Sequence, residues 1–340
     1  MSLILTVRDR LVTQFPSFGV DMTNRPYMTG ALQAFEDDTK NTLRPDVIQT
    51  IENSIDGTPV KIPVLDSQVV TIISTRTCTI PCTESDSKLL DVTFVTVGFN
   101  ICQHPAQYAN NYIGQVADFE WKLTNRLNQL RNYLDTLAVA KLETFKNVIF
   151  TGGVSGIYTP SAGNALQVPQ IEKDNMYNQI QSILALQRFD PIDYATIYNP
   201  QHAAMIRRDM QQGGANATNL GWQFNGYRPY QTNNIINSGA GVESTAYIAA
   251  KGSLAFLNRN SVDSRLGHSS TDGTEWSEMY FPIVDKTMGV LYKSTCGTFN
   301  GVAQSLQESW QITTDVVFVT THITNPLAEV TPVTKYEVLN

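Results

Sequence analysis

The sequence predicts an α+β protein, and three observations lead to this class. Apolar residues recur at helical spacing over residues 106–150, which predicts one very long helix. Two strand-like stretches, residues 68–80 and 88–101, flank a turn segment that contains Pro81. Short strands such as residues 194–198 follow among helices without strict alternation, and this order favours α+β over α/β.

The long helix is predicted by a stripe of apolar side chains at intervals of three and four. The stripe consists of Tyr112, Val116, Phe119, Leu123, Leu127, Leu130, Leu134 and Leu137. About 40 helical residues at 1.5 Å each would span roughly 60 Å, several times the usual helix length. A coiled coil is the alternative, but the stripe keeps no strict heptad beyond Leu137.

The strand before the predicted turn has no clearly apolar face. Between residues 71 and 79 one face is mainly threonine, and the other includes Ser74 and Arg76. Such a strand has no obvious place in its own core, so we expect it to pack against neighbouring chains. The expected contact residues are Thr75, Arg76, Thr77, Glu84, Asp86 and Lys88.

The composition suits a chain that buries much of its surface. Of its 340 residues, 42% are hydrophobic, which is enough for a sizeable core, and only 16% are charged, against a typical value of about 25%. Neutral polar groups cost less to desolvate than charges. The net charge is −7 and the longest basic cluster is Arg207–Arg208, which excludes a dedicated nucleic-acid binder.

The remaining elements are shorter. Pro45 starts a predicted helix, and residues 1–57 as a whole are predicted to form an extended arm with small helices rather than a compact unit. A helix is predicted over residues 174–187, and Asn199-Pro200 caps and starts another that runs to Met210. Further strands are predicted over residues 247–250, 278–284, 288–294 and 315–324.

The glycine-rich stretches do not match phosphate-binding or nucleophile motifs. Gly156 is followed by Ile157 rather than by the Lys of a phosphate-binding loop, and the segment around Ser155 lacks the spacing of a nucleophile elbow. Gly239 and Gly241 begin a dinucleotide pattern that has Ser244 at the third glycine position. We therefore expect no cofactor.

The cysteines and histidines do not form a recognisable metal-binding or catalytic pattern. Cys78, Cys82, Cys102 and His104 do not have a standard zinc spacing. Hairpin geometry would also place Cys102 about 30 Å from the first pair. His202 is expected on the surface or at an interface, and we expect His322, in the last strand, to be packed or hydrogen-bonded.

The N-terminal sequence is not typical of a signal peptide, and no run approaches the roughly 20 apolar residues of a membrane span. We expect synthesis in a reducing cytoplasm and no membrane partner. The histidines, with scattered acids such as Asp263, leave open an α+β enzyme with an unrecognised site, but no acid, base or nucleophile constellation is visible.

The order of these elements resembles the major capsid protein of tailed bacteriophages, the Hong Kong 97 fold. The resemblance extends over nearly the whole chain, with a loose arm, a two-stranded extension, a very long helix, an α/β region that includes YATIYNPQHAAMIRRDM, and closing strands such as DVVFVTTHITNPLAEV. In that family these parts are the N-arm, E-loop, spine helix, A-domain and P-domain. The resemblance rests on element order, because the family has no short diagnostic motif.

The resemblance implies domain boundaries for this chain. The N-arm would be residues 1–57 and the E-loop hairpin residues 66–102. The P-domain would comprise residues 58–65 and 103–175, which include the spine helix. Residues 176–277 would form the A-domain, and residues 278–340 would return to the P-domain and then the A-domain.

The resemblance also implies a function and partners. The chain would self-assemble into hexamers and pentamers of an icosahedral shell around weakly contacted double-stranded DNA. Its partners would be a portal and scaffold or decoration proteins, and its location the virion after synthesis in the host cytoplasm. An encapsulin-like shell and a phage tail or baseplate protein are the alternatives.

Two family features are not matched by the sequence. No long charged helical region precedes the arm, which implies a separate scaffold or a processed chain. Lys88 is the one lysine near the E-loop turn, and no acceptor for a crosslink can be assigned to it. Crosslinking between subunits is therefore not carried over.

Overall fold

The computed structural model describes residues 3–7, 9, 28–55, 60–65, 87–108, 112–148, 157–187, 189–212, 227–299, 302–320 and 331–340. Helices and extended sheets occur together, with one long helix beside two larger sheets. The predicted α+β class is confirmed.

Residues 3–7 are helical. The described helices that follow are α1 (Gly30–Thr42), α2 (Pro45–Glu52), α3 (Tyr112–Phe145), α4 (Met176–Leu186), α5 (Pro200–Gln212) and α6 (Val262–Leu266). Two 3-10 turns, Pro105–Tyr108 and Gln170–Asn175, precede α3 and α4. The described strands are β1 (Val60–Leu65), β2 (Ser87–Val92), β3 (Val95–Gln103), β4 (Thr159–Pro160), β5 (Leu166–Val168), β6 (Tyr194–Tyr198), β7 (Tyr227–Gln231), β8 (Val242–Ala250), β9 (Leu254–Arg259), β10 (Thr274–Phe281), β11 (Lys286–Phe299), β12 (Val302–Thr320) and β13 (Val333–Leu339).

The strands form a ribbon and two larger sheets. β1 and β2 pair antiparallel as the ribbon. The five-stranded sheet is antiparallel and has the order β10-β11-β12-β3, with β9 pairing with the end of β12. The six-stranded sheet has the order β4-β5-β13-β8-β6-β7 and is mixed, because the β5–β13 and β6–β7 pairs are parallel.

Helix α3 packs its apolar stripe into the main core, with β-strands of the five-stranded sheet. The buried stripe consists of Val116, Phe119, Leu123, Leu127, Leu130, Leu134, Ala138 and Leu142. Its 34 residues span about 51 Å, less than predicted. The chain leaves the helix after Phe145 because Lys146 and Asn147 pair with Val333 at the start of β13. Within the described residues, neither α3 nor any other helix is long and apolar enough to cross a membrane.

Helix α1 also lies in the main core, although the sequence predicts an extended arm with small helices there rather than part of a compact unit. Leu32 and Phe35 are almost fully buried. The carboxylate of Asp135, on α3, accepts a hydrogen bond of 2.9 Å from the Leu32 amide and so caps α1 from another helix. Burial raises the pKa of Asp135 despite hydrogen bonds that include one from Thr232. Because the capping group is distant in sequence, the local pattern did not indicate that this helix belongs to the core.

The six-stranded sheet separates the main core from a second one. Along β6, Ala195 and Ile197 belong to the main core, whereas Tyr194 and Tyr198 belong to the second. Helices α4 and α5 contribute the other side of the second core. The predicted start of α5 is confirmed, because the Asn199 side chain accepts a 3.0 Å hydrogen bond from the His202 amide.

A third, smaller core lies under α2. Pro45 is the first residue of α2, as predicted. Ile51 of this helix packs with Ile62 of β1, Val92 of β2 and Leu257 of β9. The base of the β1–β2 ribbon is therefore fixed to the five-stranded sheet.

The predicted hairpin differs from the observed strands. The predicted strand over residues 88–101 is divided into β2 and β3, because β2 pairs with β1 whereas β3 pairs with β12. The predicted strand over residues 68–80 lies outside the described residues. The sequence did not predict β9 or β13, and it predicted only the end of the 19-residue β12.

Replacing Gly30 with alanine is expected to destabilise the fold. A Cβ atom at Gly30 would lie 2.4 Å from the backbone oxygen of Gln231, and strand backbone cannot move as a flexible side chain can. We expect a loss of about 1–3 kcal/mol in the free energy of unfolding, measured by urea denaturation. In contrast, G239A adds its Cβ where nothing lies within 4 Å, so equal losses in the two variants would contradict the steric explanation.

Candidate subunit interface

The predicted contact segment starts and ends at adjacent points of the ribbon. Leu65, the last residue of β1, pairs with Ser87, the first residue of β2. Residues 66–86 therefore leave and re-enter the fold side by side, as a hairpin requires. Thr75, Arg76, Thr77, Glu84 and Asp86 lie outside the described residues. Lys88 lies in β2 opposite Val64.

The outer side of α3 exposes large apolar side chains. Trp121 is 67% exposed and Tyr133 is 51% exposed, whereas the apolar stripe of the same helix is buried. Aromatic residues of this size are the usual anchors of protein–protein interfaces. Sequence spacing alone did not reveal them, because they lie between the core positions.

A groove runs between α3 and β3, beginning at these aromatic residues. Its first part has a volume of about 550 Å³ and is lined by Gly98, Phe99, Trp121, Lys122, Asn125, Arg126, Gln129, Leu130 and Tyr133. A second depression of about 280 Å³ is lined by Thr93, Val95, Leu137, Ala140, Lys141, Thr144, Val316, Val317 and Phe318. The two depressions are separate, but their helix residues follow one another along the same side of α3. Together they are called the α3–β3 groove.

The charged side chains that line the α3–β3 groove are basic. Lys122 pairs with Asp118 on the preceding turn at 2.6 Å. Desolvation acts to raise the pKa of Asp118, but hydrogen bonds from Lys122 and Tyr108 outweigh it and lower that pKa. Arg126 makes no ion pair within the described part of the chain. Desolvation lowers the pKa of Lys141, the third cation of the groove.

One wall of the groove is a sheet edge. β3 pairs with β12 on one side, and among the described residues no strand pairs with its other side. The amide and carbonyl groups on such an edge are able to bind an added extended segment. The groove thus combines exposed aromatic rings, cations and an open strand edge.

His202 is not on the surface or at an interface, as the sequence suggested, but fully buried. Its two ring nitrogens form hydrogen bonds with the hydroxyl groups of Tyr177 and Ser244. Desolvation lowers the pKa of His202 to about 3, so the ring is neutral at physiological pH. Ile206, four residues after His202, is also buried, so both side chains lie on one face of α5. This spacing could have predicted from the sequence that the face points inward.

The Ser244–His202–Tyr177 chain does not form a catalytic site. Ser244 and His202 are both 0% exposed, so no substrate reaches the serine hydroxyl. The arrangement satisfies polar groups within the second core, next to other buried tyrosines. This cluster therefore stabilises the packing of α4 and α5 on the sheet.

The other candidate chemical groups are cysteines, a histidine and aspartates. Cys102 and Cys296 are exposed free thiols, while Cys78, Cys82 and His322 lie outside the described residues. Asp263 contacts His268, and Asp272 contacts Lys293. In the described part of the chain, no group of three His, Cys, Asp or Glu side chains is arranged to hold a metal ion.

No protein-family model and no curated protein matches the chain, but solved structures are similar to it. The structure of Microbacterium phage Oxtober96 shares 13% identity and a TM-score of 0.46, over 97% of this chain and 98% of that one. The capsid structure of cyanophage P-SCSP1u shares 12% identity and a TM-score of 0.43, over 84% of each chain. The holo-SrpI encapsulin complex of Synechococcus elongatus shares 10% identity and a TM-score of 0.41, over 87% of this chain and 88% of that one. A phage capsid and an encapsulin are thus among the structures with which this chain shares similarity.

Proposed function

We propose that this protein is the subunit of an icosahedral phage capsid and assembles into hexamers and pentamers around double-stranded DNA. One observation carries the proposal: α3 is about 51 Å long, is buried on one side, and exposes Trp121 and Tyr133 beside an open strand edge on the other. A subunit that must bind copies of itself leaves such surface uncovered in the isolated chain.

The order of the described elements supports the same proposal. The β1–β2 ribbon is followed by the long helix, a mixed sheet with its helices, and closing strands. This is the order of the E-loop, spine helix, A-domain and P-domain in the resembled family, with the proposed boundaries given above. The neighbouring subunits would be contacted by Thr75, Arg76, Thr77, Glu84, Asp86 and Lys88.

The remaining roles follow from charge and chemistry. A net charge of −7 suits a container that contacts packaged DNA weakly. The role is structural rather than enzymatic and needs no cofactor. In this proposal the portal and scaffold or decoration proteins are further partners, and the subunit is made in the host cytoplasm and becomes part of the virion.

Electron microscopy of the expressed chain tests this function. We expect negative-stain images of shells or of capsomers of several hundred kilodaltons. Tubes or rings would indicate a tail component, and shells that enclose protein rather than nucleic acid would indicate a compartment. A clean monomer under all assembly conditions would overturn the proposal.

Removing the segment between β1 and β2 is expected to prevent assembly without unfolding the subunit. We predict that deletion of residues 74–86 abolishes shells in electron micrographs but leaves the circular dichroism spectrum and melting temperature close to those of the full chain. A replacement of the same 13 residues by glycine and serine controls for chain length and should also fail to assemble. Normal shells from either variant would contradict the role of this segment.

A further inference from the structure

We propose that a depression between α2 and the β10–β11 hairpin binds a small aliphatic diamine, a molecule that carries two ammonium groups. The depression has a volume of about 380 Å³. Glu52 and Asn53 contribute to its lining from the C-terminal end of α2, and Glu278 and Thr287 contribute from the two strands of the hairpin. This site is called the α2–β10 depression.

The cations that line the α2–β10 depression already have partners. The guanidinium of Arg259 lies 3.3 Å from the carboxylate of Asp315. The ammonium of Lys286 lies 3.1 Å from the carboxylate of Glu36. Arg265 donates a hydrogen bond of 2.7 Å to a backbone carbonyl just beyond the C-terminal end of α2. All three cations are therefore engaged by the fold itself.

The carboxylates of the α2–β10 depression have no such partners. Glu278 accepts a hydrogen bond of 2.9 Å from the side-chain amide of Asn260. Asp285 accepts one from the hydroxyl group of Tyr280. Within the described part of the chain, neither of these carboxylates nor that of Glu52 forms an ion pair with a cation. The depression therefore offers three negative charges to a ligand.

A net charge of −2 remains in the depression after its internal pairs are considered. The lining has three carboxylates and three cations, and two of these cations are neutralised by carboxylates that lie outside it. Burial raises the pKa of Glu52, and the charge of Lys286 offsets this effect only in part. A further cation nearby would stabilise such a carboxylate. Two positive charges on one ligand would balance the site.

A buried amide oxygen in the lining also lacks a donor. Asn260 is 6% exposed, and its Oδ1 atom has no hydrogen-bond partner among the described residues. The Nδ2 group of the same side chain donates to Glu278 and to the carbonyl of Thr287, which fixes the orientation of the amide. An acceptor left unpaired costs free energy, and an ammonium group offers three N–H donors. The amide oxygen and the carboxylates therefore call for the same kind of ligand.

The chemistry of the site favours an organic diamine over a metal ion. In the described part of the chain, no group of three His, Cys, Asp or Glu side chains is arranged to hold a metal ion, and Mg²⁺ requires near-ideal octahedral coordination. A volume of about 380 Å³ has room for a short carbon chain between two ammonium groups. Exposed ion pairs are individually weak, so we expect a dissociation constant on the order of 1 mM.

Isothermal titration calorimetry of the full chain with 1,4-diaminobutane tests the site, at low ionic strength because salt screens exposed pairs. We expect E52Q and E278Q each to weaken binding about threefold, and the double variant to weaken it about tenfold. E278Q keeps an acceptor for Asn260, so the fold should be retained, which the melting temperature would verify. The matched control is E275Q, the same change on the same strand at a residue that does not line the depression, and it should bind like the parent.

Two competing ligands test the class of molecule. Butylamine, which has one ammonium group, should bind more weakly than the diamine, and equal affinities would overturn the assignment to a diamine. Displacement of the diamine by an equal concentration of magnesium chloride would overturn it in favour of an inorganic cation. Absence of diamine binding, or equal binding by the parent and E52Q/E278Q, would overturn the site itself. These results do not depend on whether shells form, so they are distinct from a failure of the proposed function.

Discussion

Replacing Asp38 with alanine is expected to lower the free energy of unfolding by about 3–5 kcal/mol. The carboxylate is almost fully buried and accepts hydrogen bonds from the amides of Gly252, Ser253 and Leu254 at 2.9–3.1 Å. These amides form the turn from β8, in the six-stranded sheet, to β9, in the five-stranded sheet. The substitution would leave buried donors without an acceptor at the point where the two sheets are joined.

Chemical denaturation of purified subunits measures this effect. The control D46A removes an exposed carboxylate that pairs with Arg44 at the surface, and it should cost less than about 1 kcal/mol. D38N keeps the shape of the side chain but places an NH2 group near the backbone N–H donors. Its loss in the free energy of unfolding should therefore lie between those of D46A and D38A. Equal stabilities of D38A and D46A would show that the turn does not depend on Asp38.

The elements that the sequence predicted best are those with a strong local pattern. The stripe from Val116 to Leu134 has helical spacing, so α3 and its buried face were predictable. Residues 194–198 are apolar on both faces and form a fully buried strand, and Asn199-Pro200 signals the start of the next helix through its own side chain.

The parts that were not predicted depend on groups far away in the chain. Helix α1 is capped by Asp135, about 100 residues distant, and α1 in turn supplies Asp38 to the β8–β9 turn. No local pattern reveals such pairs. The α3–β3 groove was missed for the same reason, because Lys122 and Arg126 read as ordinary outer-face residues until β3 is placed beside them.

The contact residues of the hairpin were expected from the sequence without a partner surface. The absence of an apolar face near Arg76 indicated that the segment needs a partner, but not where that partner lies.

The second large effect is expected at Trp310, where α3 meets the five-stranded sheet. Its ring lies 4.7 Å from that of Phe119 and 5.5 Å from that of Tyr292, measured between centroids, and it is 1% exposed. We expect W310A to cost about 3–5 kcal/mol in the free energy of unfolding, measured in urea, because a large cavity would remain.

Two further tryptophan variants separate subunit stability from assembly. W310F should cost only about 1 kcal/mol, because it leaves a small cavity and removes an indole N–H that has no acceptor among the described residues. W121A, on the exposed side of the same helix, should leave the free energy of unfolding within about 0.5 kcal/mol of the parent while reducing shell formation. If W121A unfolded as readily as W310A, Trp121 would belong to the fold of the subunit, and the outer side of α3 would not be a free surface for a second copy.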